Sequence, residues 1–321
     1  MLAAAISIVI WSAIHPLAAL TRAAQAVAAG NLAMPIPAME RRRDEVAALA
    51  RAFVGMQRSL GVYVEDLRQA TARRQRIETE LAIAKEIQFS LLPEIDTAIG
   101  GHTEIEVAAV MRPAREVGGD FYDVFLLDEQ HLCIVIADVS DKGVPAALYM
   151  SMTRTLLRLE ARTGTLPGTI LASVNNILAR DNRACMFVTI FCVVLDLATG
   201  ETHLANAGHN PPLLAPGDSS WQFVHVPYDA AVGPIVDSTY ESQSIRLTPG
   251  SMVLLYTDGV TEARNAAGEL FGNNRLVEAL EGRQSQSVAT LPLHLLGVIE
   301  KWAANCAQSD DITLLAFRYL A

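Results

Sequence analysis

Four apolar, strand-like runs in this chain end on aspartate: GGDFYD, IADVSD, LLYTDG and SDDITLLAF. They set Asp120, Asp138, Asp258 and one of Asp310 or Asp311 at strand ends, where a sheet fold would draw them to one point. Carboxylates gathered in this way repel unless a hard cation lies among them. A divalent-metal centre is therefore the first expectation. Gly118 and Gly119 precede Asp120 and would let the backbone approach an ion or its waters. Asp123 reads as a supporting acid, although strand alternation turns it toward the opposite face. After Asp138 a tight loop enters a helix opened by Gly143, Val144 and Pro145, and proline is at home in a first turn. Asp141 in that loop reads as a cap or a solvent-facing turn residue. Lys142 reads either as a phosphate contact or as a surface lysine.

Other chemistries find little support. The net charge of -10 argues against nucleic acid as a partner. The seven histidines are isolated, with no H-E-x-x-H pair for zinc. His209 in NAGHNPPLL could assist chemistry, but a structural loop histidine is the plainer reading. No G-x-S-x-G elbow, phosphate-binding P-loop or dinucleotide-binding glycine fingerprint occurs. Four scattered cysteines without C-x-x-C spacing read as free thiols, with Cys133, Cys185 and Cys192 buried in apolar runs.

The front of the chain is helical. MLAAAISIVIWSAI offers 14 residues without charge, fewer than the ~20 that span a bilayer, and lacks the pattern of a secretory signal. Residues 1–14 read as the cytoplasmic end of a membrane helix that begins upstream. Arg22 and Arg41, Arg42 and Arg43 then place the remainder of the chain on the cytoplasmic side. A buried soluble helix is the alternative. Leu17, Leu20, Ala24, Val27 and Ala28 form an apolar stripe that Gly30-Asn31 stops, and Leu32 to Pro37 reads as an extended connector. A second helix starts near Asp44, a natural N-cap, and shows Val46, Leu49, Phe53, Met56 and Leu60 at spacings of three and four. Two such helices cannot bury a core alone, whereas two copies can form a parallel four-helix bundle. Residues 67–92 continue as a heptad seam weakened by Arg74 and Gln88 and ended by Pro93, the pattern of a dimeric coiled linker.

From about residue 103 the texture changes. Strands are expected at 104–111, 121–127, 132–139, 186–195, 201–206, 252–256 and 312–317. Helices are expected at 144–160, 167–179, 274–281 and 291–305. Short turns between successive strands give antiparallel hairpins, hence an α+β layered domain and not an alternating parallel sheet.

Two resemblances sharpen this reading. Pro16, the Gly-Asn connector and DEVAALARAFVGMQRSL resemble a HAMP signalling module over residues 15–66, which implies a parallel homodimer relaying signals from a membrane sensor. Residues 93–321, with motifs from about residue 85, resemble the metal-dependent type 2C protein phosphatases in their bacterial SpoIIE-like branch. The motifs in order are AKEIQFSLLP, RPAREVGGDFYD, IADVSDKGVPAALYM, MFVTIFCVVLD, NAGHNPPLL, LLYTDGVTEARN, GELFG and DDITLLAF. The resemblance implies a sandwich of two antiparallel sheets flanked by helices, with two Mn²⁺ or Mg²⁺ ions in each active site. Asp120, Asp138, Asp258 and Asp310 would be the ligands, joined by the Val139 carbonyl, with Asp311 the weaker choice of the final pair. It further implies attack of a metal-activated water on the phosphoserine or phosphothreonine of a regulatory protein, commonly an anti-sigma-factor antagonist. The branch often has glycine where this chain has Asp141, which puts that loop's geometry in question. Arg112, Arg115 and Lys142 are the candidates for a phosphate contact. A catalytically silent partner-binding scaffold and a metal-dependent nucleotide enzyme are the competing readings. Retention of the acids speaks against the first, and the lack of a triphosphate cradle against the second.

Overall fold

The computed structural model describes residues 2–36, 44–304 and 306–321. Pro37, the Arg41–Arg43 cluster and Asn305 lie outside the described residues. The chain divides into two compact units, Met1–Glu80 and Leu81–Ala321.

In the first unit α1 (Leu2–Ala28) continues through Pro16. It ends where Gly30 takes a left-handed φ of 88°, with Gly30 N donating to Val27 O and Asn31 N to Ala26 O. These are the two bonds of a Schellman stop, which the Gly-Asn pair supplies because glycine adopts that φ without strain. Among the described residues no helix is long and apolar enough to cross a membrane. Asp44 caps α2 (Glu45–Leu91) as expected, its Oδ1 accepting from Ala47 N at 3.0 Å. The connector is tied to α2 by Gln57, whose Nε2 donates to Leu32 O at 2.6 Å and Met34 O at 3.0 Å. Helix α2 runs 47 residues without a break, from the first unit into the second.

The second unit begins with the end of α2 and a short α3 (Ile95–Ala98). One five-stranded antiparallel sheet has the order β2-β3-β4-β5-β8, built from β2 (Phe121–Leu126), β3 (His131–Val139), β4 (Val188–Asp196), β5 (Glu201–Ala207) and β8 (Gln243–Arg246). The other, also five-stranded and antiparallel, has the order β1-β10-β9-β6-β7. It comprises β1 (Ile105–Arg112), β6 (Leu213–Ala215), β7 (Gln222–Phe223), β9 (Met252–Tyr256) and β10 (Ile312–Tyr319).

Period-two alternation builds the layers. Leu132, Ile134 and Ile136 of β3 face Val253, Leu255, Leu315 and Phe317 between the sheets. Cys133, Val135 and Ala137 turn outward, against α4 (Val144–Glu160) and α5 (Pro167–Arg180). Leu254, Tyr256 and Leu314 turn outward on the other side, against α7 (Gly272–Leu280) and α8 (Leu291–Ala303). The result is the expected helix–sheet–sheet–helix sandwich. All seven expected strands and four expected helices are present, the last helix ending at Ala303. The short β6, β7, β8 and α3, and the single-turn α6 (Asp258–Thr261), were not foreseen. They carry too few residues to show a period.

Two smaller expectations fail. Cys185 is exposed and left-handed, not buried, while Cys133 and Cys192 are buried and all four thiols are free. Gln88 is no mere flaw in a coiled seam. It is buried, its Nε2 donating to Gly118 O at 2.7 Å while its Oε1 accepts from Gly118 N at 3.1 Å.

Candidate metal centre

The same alternation that fills the core delivers acids to one end of the inter-sheet space. On β3, Asp138 shares the inner parity of Ile134 and Ile136. On the partner sheet, Thr257 follows Val253 and Leu255, and Thr313 precedes Leu315 and Phe317. Asp120 stands just before β2 and is 1% exposed. Its Oδ2 accepts from Thr257 Oγ1 at 2.7 Å and from Thr313 Oγ1 at 2.8 Å, so hydroxyls of one sheet hold the acid of the other.

Electrostatics shows the acids to be neighbours. Burial, with Asp138 and Asp311 nearby, raises the Asp120 carboxyl well above its ordinary range against the pull of the two threonines. Asp138 is pushed up to about 7, by burial first and then by Asp258 and Asp310, while a hydrogen bond with Asp120 acts the other way. Asp258, the first residue of α6, rises to about 6 through burial, Asp310 and Glu262, and Lys142 lowers it. Asp310 meets Lys142, Nζ to Oδ2 at 2.8 Å.

Asp311 has another duty. Its carboxylate accepts from Ala114 N and Gly119 N, both at 2.7 Å, and from Asp120 N at 3.4 Å, pinning the loop that leads into Asp120. The preceding glycines admit protein groups. A Cβ on Gly118 would lie 2.3 Å from Asp311 Oδ2, and one on Gly119 would lie 2.9 Å from the Val139 carbonyl oxygen. Gly259 is required in the same way, since its Cβ would fall 1.9 Å from the Asp311 carbonyl oxygen.

Asp123 belongs elsewhere. It points outward with Phe121 and Phe125 and pairs with Arg158 Nε at 2.6 Å and Arg154 Nε at 3.1 Å, both on α4. Asp141 is exposed and does not cap α4, whose N-cap is Gly143. Its φ of 68° explains why glycine suits this position and why aspartate, tolerant of that region, can replace it. His209 is buried and neutral, held down to about 4 by burial. Its Nδ1 meets Thr189 Oγ1 at 2.8 Å, and its backbone N donates to Asn206 Oδ1 at 2.7 Å, the work of a structural loop histidine. Arg112 pairs with Glu300 on α8, and Arg115 stands exposed.

The donor set fits a hard divalent cation. Asp120, Asp138, Asp258 and Asp310 offer oxygen only, and three of them hold protons more tightly than free carboxylates because burial and their neighbours disfavour charge. Among the described residues no three acidic, histidine or cysteine side chains already close on one point as a filled coordination sphere does. Thr257, Thr313 and Gln88 are the supporting residues that the sequence reading missed. The first two could have been found as the hydroxyl within YTD and the one just after DDI.

Comparison with known proteins agrees with this architecture. The family model for stage II sporulation protein E matches residues 128–320, and that for the HAMP domain matches residues 8–61. Protein IcfG of Synechocystis sp. (strain ATCC 27184 / PCC 6803 / Kazusa) is 33% identical, aligned over 95% of this chain and 52% of its own length. Phosphoserine phosphatase RsbU of Bacillus subtilis (strain 168) is 31% identical over 76% of this chain and 71% of RsbU. The chain thus spans about half of the first relative and over two thirds of the second. The solved SiaA-PP2C domain of Pseudomonas aeruginosa shares the fold, with a TM-score of 0.69 at 24% identity over 77% of this chain and 99% of that domain.

Proposed function

Because this chain belongs to the SpoIIE branch of the type 2C protein phosphatases, with a HAMP domain before it, we propose that it is a metal-dependent protein serine/threonine phosphatase. The observation that carries the proposal is the convergence of Asp120, Asp138, Asp258 and Asp310 at one end of the inter-sheet space, where burial and acidic neighbours raise the proton affinity of the first three. Mn²⁺ or Mg²⁺, two ions per site on the family pattern, would supply positive charge for phosphoryl oxygens and an activated water. The four aspartates would hold the ions with the Val139 carbonyl beside them. Thr257 and Thr313 orient Asp120, and Asp311 fixes the loop that carries it.

The substrate we propose is a phosphorylated regulatory protein of the anti-sigma-factor antagonist kind. The similarity to RsbU supports a phosphoserine substrate. Control by a membrane sensor, from the cytoplasmic side and through a homodimer, is the reading that the HAMP match favours. Exposed Leu49, Met56, Leu60 and Leu67 on α2 suit a second copy. Gln88 supports a relay, since the last turns of α2 are hydrogen-bonded to Gly118, two residues from Asp120.

The test is release of phosphate from a phosphoserine protein with Mn²⁺, with Mg²⁺ and with neither. Hydrolysis only with metal is expected. Full activity surviving Asp138→Asn combined with Asp258→Asn would contradict the assignment.

A further inference from the structure

Among the described residues, Lys142 is the one cation ion-paired with a member of the aspartate cluster. We propose, resting on the phosphatase reading above, that Lys142 contacts the phosphoryl oxygens of the substrate, and that Asp310 is the resting partner it exchanges for them.

The loop is built to present this side chain. Ser140 is anchored on both sides, its N donating to Phe187 O at 2.8 Å and its Oγ accepting from Phe187 N at 2.9 Å. Asp141 and Gly143, with φ of 68° and 81°, then turn the chain left-handed on either side of Lys142. The turn sends the side chain from the β3–α4 loop of one sheet to the approach of β10 in the other. There Nζ lies 2.8 Å from Asp310 Oδ2 and donates to Ser309 O. Lys142 and Asp310 are 31% and 28% exposed, so the pair stands at the mouth of the cluster, while Asp120 lies within at 1%.

Charge selects the role. Two divalent cations would cancel the four carboxylates and leave the Lys142 ammonium without an acid to balance it. A phosphomonoester brings about −1.5 to −2 charges to the same place. A flexible stem with a compact charge suits a group that changes partners, and a lysine serves phosphate as a point charge. Arg112 and Arg264 are engaged elsewhere, and Lys142 alone is ion-paired with an acid of the cluster among the described residues. Arg112 faces Glu300 in a cleft of about 330 Å³ beyond Gly259, Arg264 donates to Gly268 O, and Arg115 is exposed with no ion pair among the described residues.

The experiment uses the full chain as wild type, Lys142→Met and Lys142→Arg. Three quantities are read: inhibition by inorganic phosphate with Mn²⁺ present, kcat/KM on a phosphoserine peptide, and calorimetric Mn²⁺ binding without substrate. Lys142→Met should raise the phosphate inhibition constant and lower kcat/KM by about tenfold or more, the range for losing one charge-assisted hydrogen bond. It should bind Mn²⁺ as tightly as wild type or more so, because Asp310 is freed, and Lys142→Arg should recover most of the phosphate affinity. An active wild type with an unchanged phosphate constant in Lys142→Met would overturn the role of Lys142 alone. Loss of Mn²⁺ binding in Lys142→Met would make the lysine a structural tie for Asp310 and also overturn the proposal. A wild type without metal-dependent hydrolysis would overturn the phosphatase reading itself, and this inference with it.

Discussion

The two units of this chain solve the burial problem in opposite ways. Among the described residues of the first, only Leu20, Ala23, Ala47 and Ala50 are buried, while Leu49, Met56, Leu60, Leu67 and Ile77 stand exposed at helical spacing. The second sandwiches large side chains such as Ile134, Phe191, Leu315 and Phe317 between two sheets, and covers both outer faces with helices. The first leaves apolar positions open to the second copy proposed above, and the second buries its own. The lesson concerns the acids. Only a unit with its own rigid core can hold several carboxylates together against their repulsion.

The hardest test of that contrast lies in the adjacent acids Asp310 and Asp311. Asp311→Ala should destabilise the second unit by about 3 kcal/mol, because it strips charge-assisted bonds from the Ala114 and Gly119 amides. Asp310→Ala should leave the urea midpoint nearly unchanged while lowering Mn²⁺ affinity. Equal destabilisation by both variants would erase the distinction between ligand and support.

Gln88→Leu should cost about 2 kcal/mol, since it leaves both backbone groups of Gly118 buried without partners. Activity should fall with it, because Gly118 leads into Asp120. A variant as stable as wild type in urea would show that the end of α2 is only leaning on the sandwich.

A subtler effect is on pH. Asp138 and Asp258 have folded values raised to about 7 and about 6, so the metal-free fold favours their protonated forms. Their cost to folding is absent below the ordinary carboxylate value of 3.8, grows as pH rises from there, and is complete above the raised values. His209 opposes this, because a folded value near 4 means that its contribution is lost as pH falls below its ordinary 6.5. Comparing wild type with Asp138→Asn isolates the carboxylate. Without metal, the wild-type melting temperature should fall further than that of the variant between pH 5.5 and pH 8, and Mn²⁺ should restore it. Parallel profiles would remove the carboxylate repulsion from the account.

The smallest expected effect on folding is in the first unit. Leu49→Glu with Leu60→Glu should alter the stability of the second unit by no more than about 0.5 kcal/mol, the usual span for surface changes. The same pair should shift the sedimenting species from dimer to monomer. An unchanged dimer would locate self-association elsewhere.

Much of this was legible in the sequence because the signals are periodic or local. The unbroken apolar run LCIVIA marks a buried strand that delivers Asp138 at its end. Gly30-Asn31 and Asp44 mark helix ends through φ freedom and capping. What escaped depends on partners far along the chain. The bonds of Gln88 to Gly118 span 30 residues, and those of Asp120 to Thr257 and Thr313 span 137 and 193. Asp310 and Asp311 show the limit most clearly. Neighbours of one residue type, they diverge because one meets Lys142 at the site's mouth while the other is enclosed by the Ala114–Asp120 backbone.

The central claim is that the four aspartates form a cation site, and calorimetric titration with Mn²⁺ at pH 6.5 in buffers of different ionisation enthalpy addresses it directly. Wild type should bind Mn²⁺ and release protons as raised carboxyls ionise, and folded Asp138→Asn/Asp258→Asn should bind far more weakly. Equal Mn²⁺ binding by the folded double variant, or no binding by wild type, would contradict the claim.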